Sequence, residues 1–430
     1  VKRIIFIIIL LFIVFSFNIY SHENDVENNN VFFSSDLLKM LGQVAGIIAF
    51  FLLGLTIFIG TTSRLFDKLF GLDKILRFHK KFALFSFIVL FFHPSLLVVT
   101  NVIDGSGFFD FFMSNITYLP FLFGFTAFLI FISIIMTSLF FKIINYFIWN
   151  ITHHISFIAF LFVLYHIYDF GELSGLNPEI PLLNVFIILG LLFAVSGTII
   201  RIILLFTKKK IISTVVENKK ETDNVNSIIV KKPDNFKYNA GQFCFISFKM
   251  NGMRKPHPFT ISSSPDEKYL VFSIKSLGKF TSKIRSVKKD TYIKIDGPYG
   301  VLRYHGNDSV FIAGGIGITP FRSILGDLKD LYGKEIYLIY GNRNKKDIVF
   351  YDWLSDKQKK IQYKFINILS EEKLNGFDYG YIDNDLLKSK CNLNEDFYIC
   401  GPPLMVKKTM EVLRHNKVPY KKIFVEKFFW

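Results

Sequence analysis

RFHKKFALFSFIVLFFHPS, residues 77–95, decides how this chain is read. His79 and His93 bracket an apolar run long enough to enter a membrane. At about 100° and 1.5 Å per residue, fourteen steps return to nearly the same helix face, roughly 20 Å further along. A titratable ring in lipid is costly, and such rings are rarely idle. One lone histidine is equally well explained by a hydrogen bond to a neighbouring helix. A second pair, His153 and His166, changes that balance. It lies in another apolar run, thirteen steps apart.

The apolar residues are concentrated in the first half. Up to about Phe206 the chain is dominated by Phe, Ile and Leu runs; from Thr207 onward charged and apolar residues alternate. A membrane helix needs about 20 apolar residues. Six segments qualify: 4–20, 37–60, 82–103, 118–141, 148–168 and 182–206. Lys2 and Arg3 precede the first, which reads either as a retained helix or as a signal peptide. The segments 21–36, 104–117 and 169–181 contain acidic residues and neither Lys nor Arg. Lys2, Arg3, Arg64, Lys68, Lys74, Arg77, Lys80, Lys81, Lys142 and Arg201 fall on the other side, opposed by Asp67 and Asp73. The positive-inside rule makes that side cytosolic. The soluble half then begins in the cytosol at Lys208-Lys209-Lys210.

Charge divides in the same place. Residues 1–206 carry 11 basic and 11 acidic side chains, so the net charge of +16 belongs to residues 207–430. A basic soluble half suits lipid headgroups or a phosphate-bearing cofactor, and no nucleic-acid motif accompanies it. Cys244, Cys391 and Cys400 show neither zinc-site spacing nor a disulfide framework, which suits a reducing compartment.

The third and fifth apolar segments run in the same direction. His79 and His153 therefore share the inner leaflet, and His93 and His166 the outer one. Two b-type haems, each held by one histidine from each helix, account for four rings at two depths. Paired imidazoles fill both axial positions, which suits electron transfer. Thirteen steps on an ideal helix leave His153 and His166 pointing apart, so a π-bulge or kink is expected there, with His154 in reserve as the inner ligand.

Residues 211–305 contain short runs rich in β-branched and aromatic residues: ISTVVEN, SIIVKK, QFCFISFKM, YLVFSIKS and YIKIDGPYG. These predict a small antiparallel barrel. HPFTISSSP, 257–265, offers an aromatic and a hydroxyl at a strand end, and KSLGKFTSKI, 275–284, offers a glycine turn with a lysine and a threonine. Each is equally at home as ordinary core or turn. SVFIAGGIGITPFRSIL, 309–325, reads as strand, glycine turn and helix, a pyrophosphate cradle. It lacks the full G-x-G-x-x-G. EIYLIYGNRN, 335–344, and DFYICGPPLMVKKTM, 396–410, repeat the strand–turn pattern. Alternating strands and helices predict a parallel α/β sheet with ligands at the strand carboxyl ends.

Taken in order, the two histidine pairs, HPFT, GKFT, DGPYG, GGIGITP, CGPP and a terminal aromatic resemble the ferric reductase and NADPH oxidase superfamily of transmembrane flavocytochromes, in a bacterial NADPH-oxidase-like form. The resemblance implies a multidomain fold: a six-helix haem-binding bundle (1–206), an antiparallel β-barrel FAD domain (207–306) and an α/β NAD(P)H-binding domain (307–430). It supports His153 over His154. It implies His79, His93, His153 and His166 as metal ligands. His257, Pro258, Phe259 and Thr260 would hold the flavin, and Gly278, Lys279, Phe280 and Thr281 would face the FAD pyrophosphate. Gly314, Gly315, Gly317, Thr319 and Pro320 would bind the dinucleotide pyrophosphate, with Arg343, near Lys345 and Lys346, placed for a 2′-phosphate. Cys400, Gly401 and Pro402 would line the nicotinamide site, and Glu426 and Phe428 would lie beside the flavin. The implied activity is electron transfer from cytosolic NADPH or NADH through FAD and two haem b groups to an outer acceptor, oxygen or a ferric chelate. The implied location is the bacterial cytoplasmic membrane. On the outer side as read, Lys39 is the one basic residue besides His22. The different-class alternative is a haem-free membrane scaffold carrying a flavin reductase domain.

Overall fold

The computed structural model describes residues 35–105, 108–140, 144, 146–169, 181–207 and 211–426. The apolar segment 4–20, most of the acidic segments 21–36 and 169–181, Lys142, Lys208–Lys210 and the terminal Phe428, Phe429 and Trp430 lie outside them. Two compact units are present: residues 1–63 with 76–206, and residues 64–75 with 207–430.

In the first unit, helices form where unbroken apolar runs leave the backbone no better partner than itself. They are α1 (Ser35–Thr62), α3 (Leu72–Ile103), α4 (Phe108–Asn115), α5 (Leu119–Leu139), α6 (Tyr146–His154), α7 (Ser156–Asp169) and α8 (Pro181–Thr207). Among the described residues, five spans are long and apolar enough to cross a membrane, with α6 and α7 together making one of them. The second begins at Leu72, well before the expected residue 82, so His79 lies inside the helix. Lipid gives helices no hydrophobic reason to associate, so close backbone approach must supply it. Gly54 and Gly190 provide this, the α1 and α8 backbones meeting where neither residue has a side chain.

The second unit opens with α2 (Asp67–Phe70), in a segment that linear boundaries assign to the membrane half. Strands β1 (Ile211–Thr222), β2 (Val225–Lys231), β3 (Phe243–Phe248), β4 (His257–Thr260), β5 (Tyr269–Lys275) and β6 (Tyr292–Tyr299) form one antiparallel sheet, in the order β4-β3-β6-β1-β2-β5. The expected barrel is thus a six-stranded sheet whose edge strands do not pair as a ladder. They approach near Ser262, whose N–H donates to Val271 O at 2.7 Å. Val215, Ile228, Ile246, Phe272 and Ile293 fill its core.

The second sheet is wholly parallel, in the order β10-β9-β8-β7-β11-β12. Its strands are β7 (Ser309–Gly314), β8 (Ile336–Asn342), β9 (Lys364–Leu369), β10 (Asp378–Tyr379), β11 (Asp396–Cys400) and β12 (Ile423–Glu426). Helices α9 (Thr319–Asp327), α10 (Tyr351–Ile361), α11 (Asn384–Lys390) and α12 (Pro403–His415) accompany it. Strands buried on both faces require continuous apolar runs, and every residue of β7 and β11 is buried. The order reverses between β7 and β11, the switch point at which open α/β sheets take their ligands.

Candidate functional site

The histidines come together in two pairs. His79 and His153 have ring centroids 6.2 Å apart, and His93 and His166 6.0 Å apart. Two metal–nitrogen bonds of about 2 Å plus two ring half-widths span roughly 6 Å, so each pair fits the two axial positions of a haem. His93 Nδ1 lies 2.8 Å from Gly42 O, and His166 Nδ1 2.9 Å from Pro120 O. A carbonyl at Nδ1 makes that nitrogen the N–H donor and leaves Nε2 as the lone pair for a metal. His79 Nδ1 and His153 Nδ1 are buried without a well-formed hydrogen bond. The Trp149 ring stacks on His153 at 5.0 Å and 23°. His154 is exposed, its Nδ1 2.7 Å from Asn150 O.

The helix is interrupted at Ile155, between α6 and α7, although Ile155 N–H still donates to Ile151 O and Ala159 N–H to Ile155 O, both at 3.0 Å. Ser156 Oγ donates to His153 O at 2.6 Å. His153 and His166 nevertheless both face partners on one neighbouring helix.

In the reductase unit, HPFT forms edge strand β4, with His257, Pro258 and Phe259 only partly buried and Thr260 buried. Phe280 of GKFT packs beneath it, its ring 4.2 Å from His257 and 6.0 Å from Phe259. Phe280 is therefore core, while Gly278 and Lys279 are exposed and nothing lies near where a Gly278 side chain would be. Thr281 Oγ1 accepts the N–H of Leu277 and of Gly278, both at 2.9 Å, and so shapes the turn. A half-open aromatic edge beside an unobstructed glycine turn fits a flavin and its pyrophosphate.

At the switch point, Cys400 registers with Ala313 on one side and Glu426 on the other. Gly317 packs against the Cys400–Gly401 backbone, where a side chain would collide with Cys400 O. Gly315 has φ +53 with open space beyond its α-carbon, so the turn before Thr319 and Pro320 presents bare backbone to the crevice. This arrangement fits a dinucleotide pyrophosphate. Arg343 follows β8 and is mostly exposed, its Nε 3.5 Å from Glu371 Oε1. Burial pushes the Cys400 thiol well up, and the nearby Glu426 adds to this. Burial also raises the Glu426 carboxyl to about 8, with the Asp73 and Asp67 carboxylates adding and Lys74 opposing.

Two features escaped the sequence reading. Arg322, in the helix after GGIGITP, donates to Ser262 O at 2.8 Å and to Glu267 Oε1 at 2.6 Å, while Ser323 Oγ donates to Ser263 O at 2.6 Å. The HPFTISSSP and GGIGITP segments are thereby tied together. The second is Asp67. Its carboxylate accepts the N–H of Leu72 at 2.7 Å and of Gly300 at 3.0 Å, while Gly300 O accepts from Gln242 Nε2 at 3.0 Å. Arg64 adds an ion pair to Asp296 at 2.6 Å. A lone acidic residue in an inner loop gives no signal for this; only the polar DGPYG turn hints that a partner is needed.

A membrane helical unit with paired histidines, followed by a six-stranded antiparallel sheet and a parallel α/β sheet, is an architecture that fits a membrane-embedded flavin oxidoreductase. Three family models match in that order: a ferric reductase like transmembrane component over residues 45–164, an FAD-binding domain over 208–303 and an oxidoreductase NAD-binding domain over 311–411. Together they support the ferric reductase and NADPH oxidase superfamily for this chain. Among curated proteins it is similar to dual oxidase 1 of Canis lupus familiaris, 27% identical over 231 residues, and to dual oxidase of Drosophila melanogaster, 31% identical over 166 residues. These alignments cover 49% and 35% of this chain but only 14% and 10% of the relatives. Among solved structures, the FAD/NAD-binding domain of nitric oxide dioxygenase from Vibrio cholerae matches 51% of the chain and 98% of that domain, at 19% identity and TM-score 0.47. A ferredoxin NADP+ reductase from Neisseria gonorrhoeae matches 52% of the chain and 100% of its own, at 21% and 0.46.

Proposed function

We propose that this chain is an NADPH-oxidase-like enzyme of the bacterial cytoplasmic membrane, taking electrons from cytosolic NAD(P)H and delivering them to oxygen on the outer face. The observation that carries the reading is the pairing of four histidines, one from each of two spans at two levels. Bound flavin exchanges hydride for single electrons, and haem relays single electrons between levels. The chain's residues supply the positions. His79 with His153 holds the inner haem, and His93 with His166 the outer one. Two imidazoles per site would suit one-electron transfer and not the binding of a further ligand.

His257, Pro258, Phe259 and Thr260 hold the flavin edge, while Gly278, Lys279 and the Thr281-shaped turn receive its pyrophosphate. Gly314, Gly315, Gly317, Thr319 and Pro320 receive the NAD(P)H pyrophosphate, and Cys400, Gly401 and Pro402 line the nicotinamide position. Glu426 keeps a proton beside that position at neutral pH. Phe428 is proposed to lie beside the flavin, with Phe429 and Trp430 the other rings available to stack there.

Oxygen is supported by the relatives' naming as dual oxidases. A second reading, reduction of a ferric chelate, is favoured by the match to a ferric reductase like component and by Lys39 as the lone outer basic residue in the sequence reading. The deciding experiment is the absorption spectrum of detergent-purified chain supplied with FAD, before and after anaerobic NADPH, then with air or ferric citrate. A reduced b-type spectrum reoxidised by air with superoxide formed is expected. Reoxidation by iron with little superoxide selects the second reading. No haem band leaves a flavin reductase on a membrane scaffold.

A further inference from the structure

We propose that Gly46, Gly60 and Gly124 are positioning residues for the haem-ligating histidines, each letting a helix backbone lie against an imidazole and fix its orientation. This rests on the proposed haem ligation and extends it beyond the ligands. A Cβ on Gly46 would lie 2.7 Å from His93 Nδ1 and 3.0 Å from its Cε1. On Gly124 it would lie 2.5 Å from His166 Nδ1 and 2.8 Å from Cε1. On Gly60 it would lie 3.0 Å from His79 Cε1 and 3.4 Å from Nδ1.

The spacing agrees independently. Gly46 and Gly60 are fourteen residues apart in α1, as His79 and His93 are in α3. Fourteen steps bring both pairs back to one face at equal rise, so two glycines at one repeat meet two histidines at the same repeat. The acceptors follow the same geometry. Gly42 O, which faces His93 Nδ1, lies one turn before Gly46, and Pro120 O, which faces His166 Nδ1, lies one turn before Gly124. At the outer level each close approach thus brings a carbonyl to Nδ1 and leaves Nε2 for iron. Helix packing alone also favours small residues in membranes, but a packing glycine such as Gly54 meets another backbone, whereas these three meet imidazoles. Among the described residues no glycine lies against His153, and Trp149 stacks on its ring instead. The outer site therefore depends on two glycines and the inner site on one, the one with the widest clearance.

The test counts haem per chain in purified full-length protein by pyridine haemochrome and resolves the two sites by low-temperature EPR. Wild type is expected to hold two haems, and His93→Ala one, which gives the spectrum of the inner site alone. Gly46→Ala and Gly124→Ala are expected to match His93→Ala, or to bind the outer haem at least tenfold more weakly, with the inner signal unchanged. Loss of one haem with retention of the other cannot arise from general misfolding. Gly60→Ala is expected to keep both haems and shift only the inner EPR signal. Two haems with wild-type signals in Gly46→Ala and Gly124→Ala overturn the proposal. If those proteins do not fold, an unchanged inner signal in Gly60→Ala overturns it. A wild-type chain without haem overturns the ligation reading, and this one with it.

Discussion

At the scale of single residues, Glu426 and Arg343 carry the sharpest expectations. The Glu426 carboxyl is raised from 4.5 to about 8, so the folded state holds a proton that the unfolded chain has released. Stability from this group is complete below about 4.5 and is lost as pH rises through about 8. The temperature at which flavin fluorescence is released from wild-type protein should therefore fall over that interval, and Glu426→Gln should flatten the fall. Arg343 faces Glu371 across an exposed pair, and such pairs are worth less than about 1 kcal/mol. Glu371→Gln should lower the KM for NADPH by up to about fivefold and leave that for NADH unchanged, while Arg343→Ala should raise the KM for NADPH alone. Steady-state kinetics with both nucleotides checks this. The four histidines were legible because a polar ring in an apolar run has few innocent explanations. Arg322 and Asp67 were not, because charged residues in loops are common and their partners are distant in sequence.

At the scale of elements, the strands were legible from their β-branched runs and the spans from their length. Strand order was not, because hydrogen-bond partners are chosen by packing across the whole sheet. The interruption at Ile155 was legible only as a need, because thirteen steps demanded a departure from ideal helix; the Ser156 hydroxyl on the His153 carbonyl gave no signal in sequence. Ser156→Ala, which removes the hydroxyl on the His153 carbonyl, should shift the EPR signal of the proposed inner haem without removing a ligand. In α2, Asp67 satisfies two backbone N–H groups and is 2% exposed. Removing a buried acceptor leaves its donors unpaired at about 1–3 kcal/mol. Asp67→Ala should lower the flavin-release temperature of the reductase unit. Arg64→Ala, which breaks a partly exposed pair, should lower it by less than about 1 kcal/mol equivalent.

At the scale of the whole molecule, the division into an apolar half and a basic soluble half was plain in composition, and it points to membrane and nucleotide chemistry. The proposed orientation is open to a direct check. Inside-out membrane vesicles should oxidise added NADPH, and right-side-out vesicles should not until made permeable. Composition could not show that residues 64–75 belong with residues 207–430. That membership has a consequence for biosynthesis. Asp67 leaves the ribosome 233 residues before Gly300, the glycine it holds. At about 5–20 residues per second that is a wait of roughly ten to fifty seconds. Through that interval the Asp67 carboxylate lacks the Gly300 N–H, and residues 207–430 draw one of their contacts from chain made long before them. A truncated gene beginning at residue 207 should accordingly yield a reductase that binds FAD less firmly than the full chain, and a peptide spanning residues 64–75 should restore part of the difference.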